Sequence, residues 1–491
     1  MTSVRMGAPV PVTIKKIEDS EIALAVVEFR TLQSNITKDG TVYKKYNGEF
    51  GFDWLRINEL GLTTELAYKN ILKGGYKNDT TDFTDTEAFR KMAGLGSNKG
   101  EYEKIEIKRP VPSGGTASTS TVKTEADYYY VPYLNLYPKE YCDSVKYYKP
   151  EHKATLRVLV EIMEDLDRLE FEYNDEILDV TSISDTAKCN KQKSIDEIVT
   201  ITCLKEINTK RDGVIRVYAY PQDTSKEKTL AGKIQVGINT KDQRKEIYFA
   251  FIGVRTNVNS ASIPITGTFS NSAQRSLANT LHQALIHPSF IITARDTVGK
   301  QVKDSSGKLQ KIILDLSTDS RFKLGGSFMH GATIHEDRGN CAALRAIKNQ
   351  YDTDPLFTWY KNNNCYPIFA IGAQVYDGAG GQILSEYVLD STGSRITLAN
   401  GSLKERFLKC AFQFPNGQSI PQVIAHEALH GLILRHTHRD ETPLCYTEIK
   451  YIFGDYRTDP ISHQTDNIMS YNSSQMKSTW AWQWKIMRTQ L

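Results

Sequence analysis

The chain has 491 residues, enough for about three domains of ~150 residues each, and carries 61 Lys and Arg against 58 Asp and Glu. A formal charge of +3 lacks the basic excess of a dedicated nucleic-acid binder. No run of about 18 apolar residues occurs, which excludes a membrane-spanning helix, and Gly and Pro stay near a tenth of the chain, below the disordered range.

The opening stretch MTSVRMGAPVPVTIKK holds no apolar core of a Sec-type signal, so the chain is expected to be made in a reducing cytosol. Cys142, Cys189, Cys203, Cys341, Cys365, Cys410 and Cys445 are scattered, with no C-x-x-C pair, and read as buried thiols rather than a disulfide framework. Residues 1–152 read as a β-rich N-terminal domain with a linker. Ala23–Phe29 and Tyr102–Ile107 are strand-like, Thr86–Met92 is helical, and Val111–Thr121 is a small-residue linker. Tyr128–Tyr137 is dense in tyrosine, which suits strands. Gly94-x-Gly96-x-x-x-Gly100 has one residue too many for a dinucleotide fingerprint and reads as a turn. Asp79–Glu87 lacks the alternating ligands of a calcium loop and reads as solvated.

Residues 153–256 alternate. Ala154, Leu156, Val158, Val160 and Ile162 share one strand face, and similar runs follow at Leu169–Tyr173, Ile198–Leu204, Val214–Tyr220, Leu230–Ile238 and Ile247–Val254. Short strands separated by turn residues predict an immunoglobulin-like β-sandwich. From 257 to 491 the period changes to an α+β pattern. Helices are expected at Asn271–His287, Asp337–Gln350, from near Ser419, and at Thr479–Arg488. Strands are expected at Ile312–Leu316, Tyr366–Ile371, Arg395–Leu398 and Lys409–Phe414, with a Gly-rich turn at Asp377–Gly381. His330 and His335 lack a complementary ligand pattern and read as structural.

The segment Pro421–His438 carries chemistry. His426-Glu427-Ala428-Leu429-His430 is an H-E-x-x-H pattern, and on a helix residues i and i+4 lie on one face. Two imidazoles on adjacent turns can then share one Zn²⁺, while Glu427, about 100° round the helix, can face a metal-bound water. Ser419 with Gln422 forms a capping-box pair, and Pro421 suits a first helical turn. His436 follows His430 by six positions, where a chain leaving the helix can present a third imidazole.

His426-Glu427-x-x-His430-x-x-x-x-x-His436, followed by Asn467-Ile468-Met469-Ser470-Tyr471, resembles the metzincin zinc peptidases. The resemblance implies a metzincin-like C-terminal domain. It implies His426, His430 and His436 as zinc ligands, Glu427 as general base and Met469 as the methionine of the turn beneath the metal. Tyr471 matches a tyrosine that some members use as an extra ligand or transition-state donor. Where the family has glycine, three residues after the second histidine, this chain has Ile433, and Gly431 sits two residues earlier. A β-branched residue in the left-handed region costs ~1–2 kcal/mol, so His438 and Glu448 stand as alternative third ligands.

The implied activity is that of a zinc metalloendopeptidase acting on a protein or peptide substrate, laid as an extended strand beside Lys409–Phe414 or Tyr366–Ile371. Two further readings stand beside it: a hydrolase of peptidoglycan peptides, and a non-catalytic tip or adaptor with a degenerate peptidase domain. Gly48–Arg56 (GEFGFDWLR) and Val199–Glu206 (VTITCLKE) resemble contractile-injection-system-associated proteins of Bacteroidetes-type bacteria. That resemblance implies a secreted or injected effector, made in the bacterial cytoplasm and exported by a contractile injection or type VI-like system.

Overall fold

The computed structural model describes residues 21–57, 67–77, 81–109, 123–183, 194–258, 263–335, 341–397, 403–438, 449–454, 465–471 and 476–491. The chain is β-rich, with several sheets and few helices, and divides into more than one packed core. The Val111–Thr121 linker, Cys189, Cys445 and Glu448 lie outside the described residues. The five described cysteines are buried.

The alternating residues build two packed sheets. One has the order Leu178–Val180, Ser194–Cys203, Lys153–Ile162, Ala25–Thr31, all antiparallel. Ala154, Leu156, Val158, Val160 and Ile162 are all buried, as their spacing requires. The other sheet runs Leu166–Glu172, Val214–Pro221, Thr229–Val236, Glu21–Ile22, Lys104–Ile107, Tyr128–Tyr130. Val158 and Phe29 from the first sheet share one core with Val217 and Ile234 from the second.

Strands from before residue 136 complete both sheets. Ala25–Thr31 pairs along Lys153–Ile162, with Val158 opposite Phe29. Glu21–Ile22 and Tyr133–Asn135 pair in parallel with Thr229–Val236. Alternation reports which face of a strand is buried, not which strand lies beside it.

The run Ile247–Val254, grouped with the sandwich in the sequence, pairs elsewhere. It lies within Lys245–Thr256, the central strand of a third, mostly parallel sheet. Ile286–Ile291 and Ile313–Asp315 flank it on one side, and Tyr366–Ile371 on the other. Ala411–Gln413 continues in parallel beyond Tyr366–Ile371, and Gly381–Gln382 closes that edge antiparallel. All six residues of Tyr366–Ile371 are buried, because helices cover both faces. The Ala342–Thr353 helix packs on one face through Leu344 and Ile347. Asn271–His282 and Gln422–His430 pack on the other, sharing a core with Phe249, Phe251 and Ile368.

Helix ends differ from the expectations in instructive ways. Asn271–His282 begins at Ser270, whose Oγ accepts from the Ala273 N–H at 3.2 Å, and stops five residues before the predicted end. Pro288 therefore sits inside the following strand instead of ending the helix. Asp85, expected in a solvated loop, opens the Asp85–Met92 helix, and Gly94 forms the turn that leaves it.

A small sheet joins the two ends of the chain. Leu72–Lys77 pairs antiparallel with both Thr81–Phe83 and Ile449–Phe453. Beneath it Leu55, Tyr68, Phe89 and Met92 pack with Tyr451, Phe453 and Trp480.

Candidate metal centre

The helix carrying the histidines starts at Gln422, with Pro421 as its N-cap and no side-chain cap. The Ser419 capping box does not form: its hydroxyl donates instead to the Asn416 carbonyl at 3.3 Å, within the turn that follows Ala411–Gln413. Anchorage comes from packing. Ile424, Ala425, Ala428 and Leu429 are buried against the sheet, together with Ile368 and Ala411.

That packing aims His426 and His430 the same way. His426 Nε2 and His430 Nε2 are 3.2 Å apart, and His436 Nε2 lies 3.1 and 3.0 Å from them. His426 and His430 are buried, His436 half-buried, and the three could hold a metal ion. Zinc–imidazole bonds of about 2.0–2.1 Å in tetrahedral directions would put neighbouring nitrogens ~3.3 Å apart, within a few tenths of the observed spacing.

Protonation follows from the outer partners. His426 Nδ1 lies 2.8 Å from the Ile468 carbonyl oxygen, and His430 Nδ1 lies 2.6 Å from that of Leu434. A carbonyl only accepts, so each Nδ1 bears the hydrogen and each Nε2 keeps a lone pair facing the other. Such an arrangement asks for a cation at the centre. Burial pushes the His426 imidazolium down to about 4, although its bond to Ile468 opposes this, so a proton does not fill that role at neutral pH.

His436 reaches the cluster because the chain turns sharply after the helix. Ile433, at the position where a glycine was expected, takes φ +67°. Its N–H donates to the His430 carbonyl at 2.8 Å, and the Leu434 N–H to that of Leu429 at 3.0 Å, a Schellman closure. Gly431 answers a different demand. A Cβ there would lie 2.2 Å from the Tyr366 hydroxyl, so glycine lets the helix seat on the sheet. His438, the alternative ligand, is not in the cluster; it stacks on His436 at 4.7 Å between ring centroids. The other alternative, Glu448, is outside the described residues.

Below the histidines, residues 467–470 form a tight turn, with the Ser470 N–H donating to the Asn467 carbonyl at 2.9 Å. Met469 is fully buried in the core under the helix. Its carbonyl accepts from the Thr437 N–H at 3.0 Å, which joins the turn to the residue after His436. Tyr471 stands at the rim, 36% exposed, with its ring centroid 4.7 Å from that of His436.

Glu427 is half-buried beside the edge strand. A Cβ added to Gly381 would come within 2.7 Å of Glu427 Cγ, so this glycine lets the edge strand lie against the carboxylate. Burial pushes that carboxyl up to about 8. The expected substrate strands, Tyr366–Ile371 and Lys409–Phe414, are not edges: Tyr366–Ile371 lies between two strands, and Ala411–Gln413 is covered by Gly381–Gln382. Phe407, from the excursion between Gly381–Gln382 and Ala411–Gln413, adds its ring 4.8 Å from His430.

His330 and His335 stand apart from the cluster, with the His330 ring edge-on to Tyr376 at 4.2 Å. No helix among the described residues is long and apolar enough to cross a membrane. No protein-family model, curated protein or solved structure matches the chain.

Proposed function

We propose that the chain is a zinc-dependent endopeptidase of the metzincin type, with His426, His430 and His436 as ligands and Glu427 as general base. The observation that carries this reading is the convergence of three imidazole Nε2 atoms within 3.2 Å of one another, with Glu427 on the same helix. His426, His430 and His436 would hold the ion as three neutral imidazoles, the ligand number of catalytic rather than structural sites. Zinc bound there supplies Lewis acidity toward a water and toward the scissile carbonyl.

The chain's own residues supply the rest. The Gly381–Gln382 edge offers main-chain hydrogen bonds to an extended substrate, as an added strand would take them. Glu427 Oε1 would lie 3.1 Å from a Cβ on Gly381, so the carboxylate lies beside that edge, which supports its role as base. Glu427 takes a proton from the attacking water and delivers it to the leaving amine. Burial raises its carboxyl, and a nearby cation lowers it again, toward the neutral range in which one group can both accept and release a proton. Tyr471, whose ring centroid lies 4.7 Å from that of His436, is the proposed hydrogen-bond donor to the oxyanion.

Glu427→Gln tests this. The amide keeps the shape of the side chain and cannot take the proton. Zinc content and melting temperature should match wild type, while cleavage of a denatured protein falls roughly 10²–10⁴-fold. Equal cleavage by the two proteins removes Glu427 from the mechanism. Cleavage of peptidoglycan peptides alone redirects the substrate assignment. Zinc binding with no hydrolysis of either substrate supports the adaptor reading.

A further inference from the structure

The loop that orients His426 is held from the opposite end of the chain. Asp466 immediately precedes the turn of residues 467–470, and the Ile468 carbonyl in that turn takes the His426 Nδ1–H. Arg56 Nη2 donates to Asp466 Oδ1 at 2.7 Å, with side-chain exposures of only 11% and 10%. The Ser478 hydroxyl donates to the same oxygen at 2.9 Å. Arg56 is itself fixed by stacking, its guanidinium carbon 4.5 Å from the Trp54 ring centroid and 5.4 Å from that of Tyr68. Burial alone would raise the Asp466 carboxyl, yet the charges of Arg56 and Lys477 bring it below the usual carboxylate range, so the pair is ionic.

A second tie reaches His436. The Phe453 N–H donates to the carbonyl of Thr437, the residue after His436, at 2.7 Å. Phe453 belongs to Ile449–Phe453, which pairs with Leu72–Lys77 from the N-terminal region. Residues from before position 78 therefore brace the surroundings of two of the three imidazoles.

We propose that the N-terminal region is a working part of the metal centre, with Arg56 as a positioning residue. It fixes Asp466 and, through the turn, the Ile468 carbonyl that sets the His426 ring. The inference rests on the metal-centre reading above. Groups that orient a metal-bound histidine typically change metal affinity by 10–100-fold, and Arg56 acts one link further out, so an effect near the lower figure is expected.

The test uses the full chain with Co²⁺, whose visible absorption reports ligand geometry, and measures both affinity and spectrum. Arg56→Ala should weaken Co²⁺ binding roughly tenfold and alter the visible bands, and Arg56→Lys should recover part of the loss. Val158→Ala, in the sandwich core, serves as a control that lowers stability without touching Asp466, and should bind as wild type does. If Arg56→Ala does not fold, Asp466→Asn weakens the same link and should give the same loss. Wild-type affinity and an unchanged spectrum in whichever of these variants folds would overturn the inference while leaving the metal centre standing. An equal loss in Val158→Ala would also overturn it, because general destabilisation would then account for the effect. A wild-type chain that binds no Co²⁺ would overturn the metal-centre reading, and this inference with it.

Discussion

The strand Lys153–Ile162 and the helix Gln422–His430 both bury most of one face, to different ends. In the strand, the inward positions are Ala, Leu, Val, Val and Ile, and the backbone is paired on both sides. In the helix, six of nine residues are buried and two of these are imidazoles facing each other. The helix leaves through Ile433 at φ +67°, and its one carboxylate is pressed by an edge strand. The strand holds what folding favours. The helix keeps lone pairs, strain and a raised carboxyl, which folding alone would select against and a bound cation would reward.

His430→Ala breaks this contrast most severely. Removing the imidazole whose Nε2 lies 3.2 and 3.0 Å from the other two should abolish stoichiometric zinc and, with it, all cleavage. Amide exchange should rise in residues 422–438 and 465–471, which a bound metal would hold together, and stay slow across Lys153–Ile162. Zinc retained at wild-type stoichiometry, measured by elemental analysis, would contradict the ligand assignment. Faster exchange throughout the sandwich would show that the two regions share one stability.

Parts of this contrast were legible in the sequence because they are local. A period of two exposes a buried strand face, and H-E-x-x-H places two imidazoles on one helical face wherever the helix lies. His436 joins the other two imidazoles, as its six-residue spacing from His430 allowed. Long-range pairing was not legible. Nothing in Ala25–Thr31 announces that it lies beside Lys153–Ile162, and Ile247–Val254 reads equally well as a sandwich strand or the centre of a parallel sheet. Gly381–Gln382 is two residues long and glycine-led, too short for any periodicity, yet it forms the edge beside Glu427. The capping signal at Ser419 misled because burial against the sheet, not a cap, fixes where the helix starts. Arg56 gave no signal at all, since its partner Asp466 lies 410 positions away.

A smaller effect sharpens the comparison at the seam between the regions. Asp53 is buried, and its carboxylate accepts the Tyr102 O–H at 3.0 Å and the Ala481 N–H at 2.8 Å. Burial pushes its carboxyl up to about 7. An Asp whose folded pKa exceeds its unfolded value of ~3.9 favours the fold while protonated, and loses that contribution as pH rises through about 7. Stability should therefore fall as pH rises from about 4 to about 7, the interval between the two pKa values, and level off above it. Asp53→Asn mimics the protonated form: the amide oxygen accepts from Ala481, and the amide N–H donates to the Tyr102 oxygen. Its urea midpoint should be flatter over that range. An unchanged slope would place the titration elsewhere.

The smallest expected effect lies at Ile433, and it asks whether the strain at the helix exit serves the metal. Relief of a left-handed β-branched backbone is worth ~1–2 kcal/mol. Against this, glycine adds conformational freedom to the unfolded chain, costing about 0.4–1 kcal/mol, and the half-buried isoleucine side chain loses its packing. These terms nearly cancel, so Ile433→Gly should shift stability by less than ~1 kcal/mol in either direction. The turn is closed by the Ile433 and Leu434 N–H groups, which glycine retains, and His430 keeps the Leu434 carbonyl. Zinc affinity should therefore match wild type. A tenfold gain would mean that isoleucine holds His436 slightly away from its best position, and that the centre trades affinity for the packing at this exit. A tenfold loss would mean that the stiff β-branched backbone pre-sets the turn, so that strain at one residue orders the third ligand.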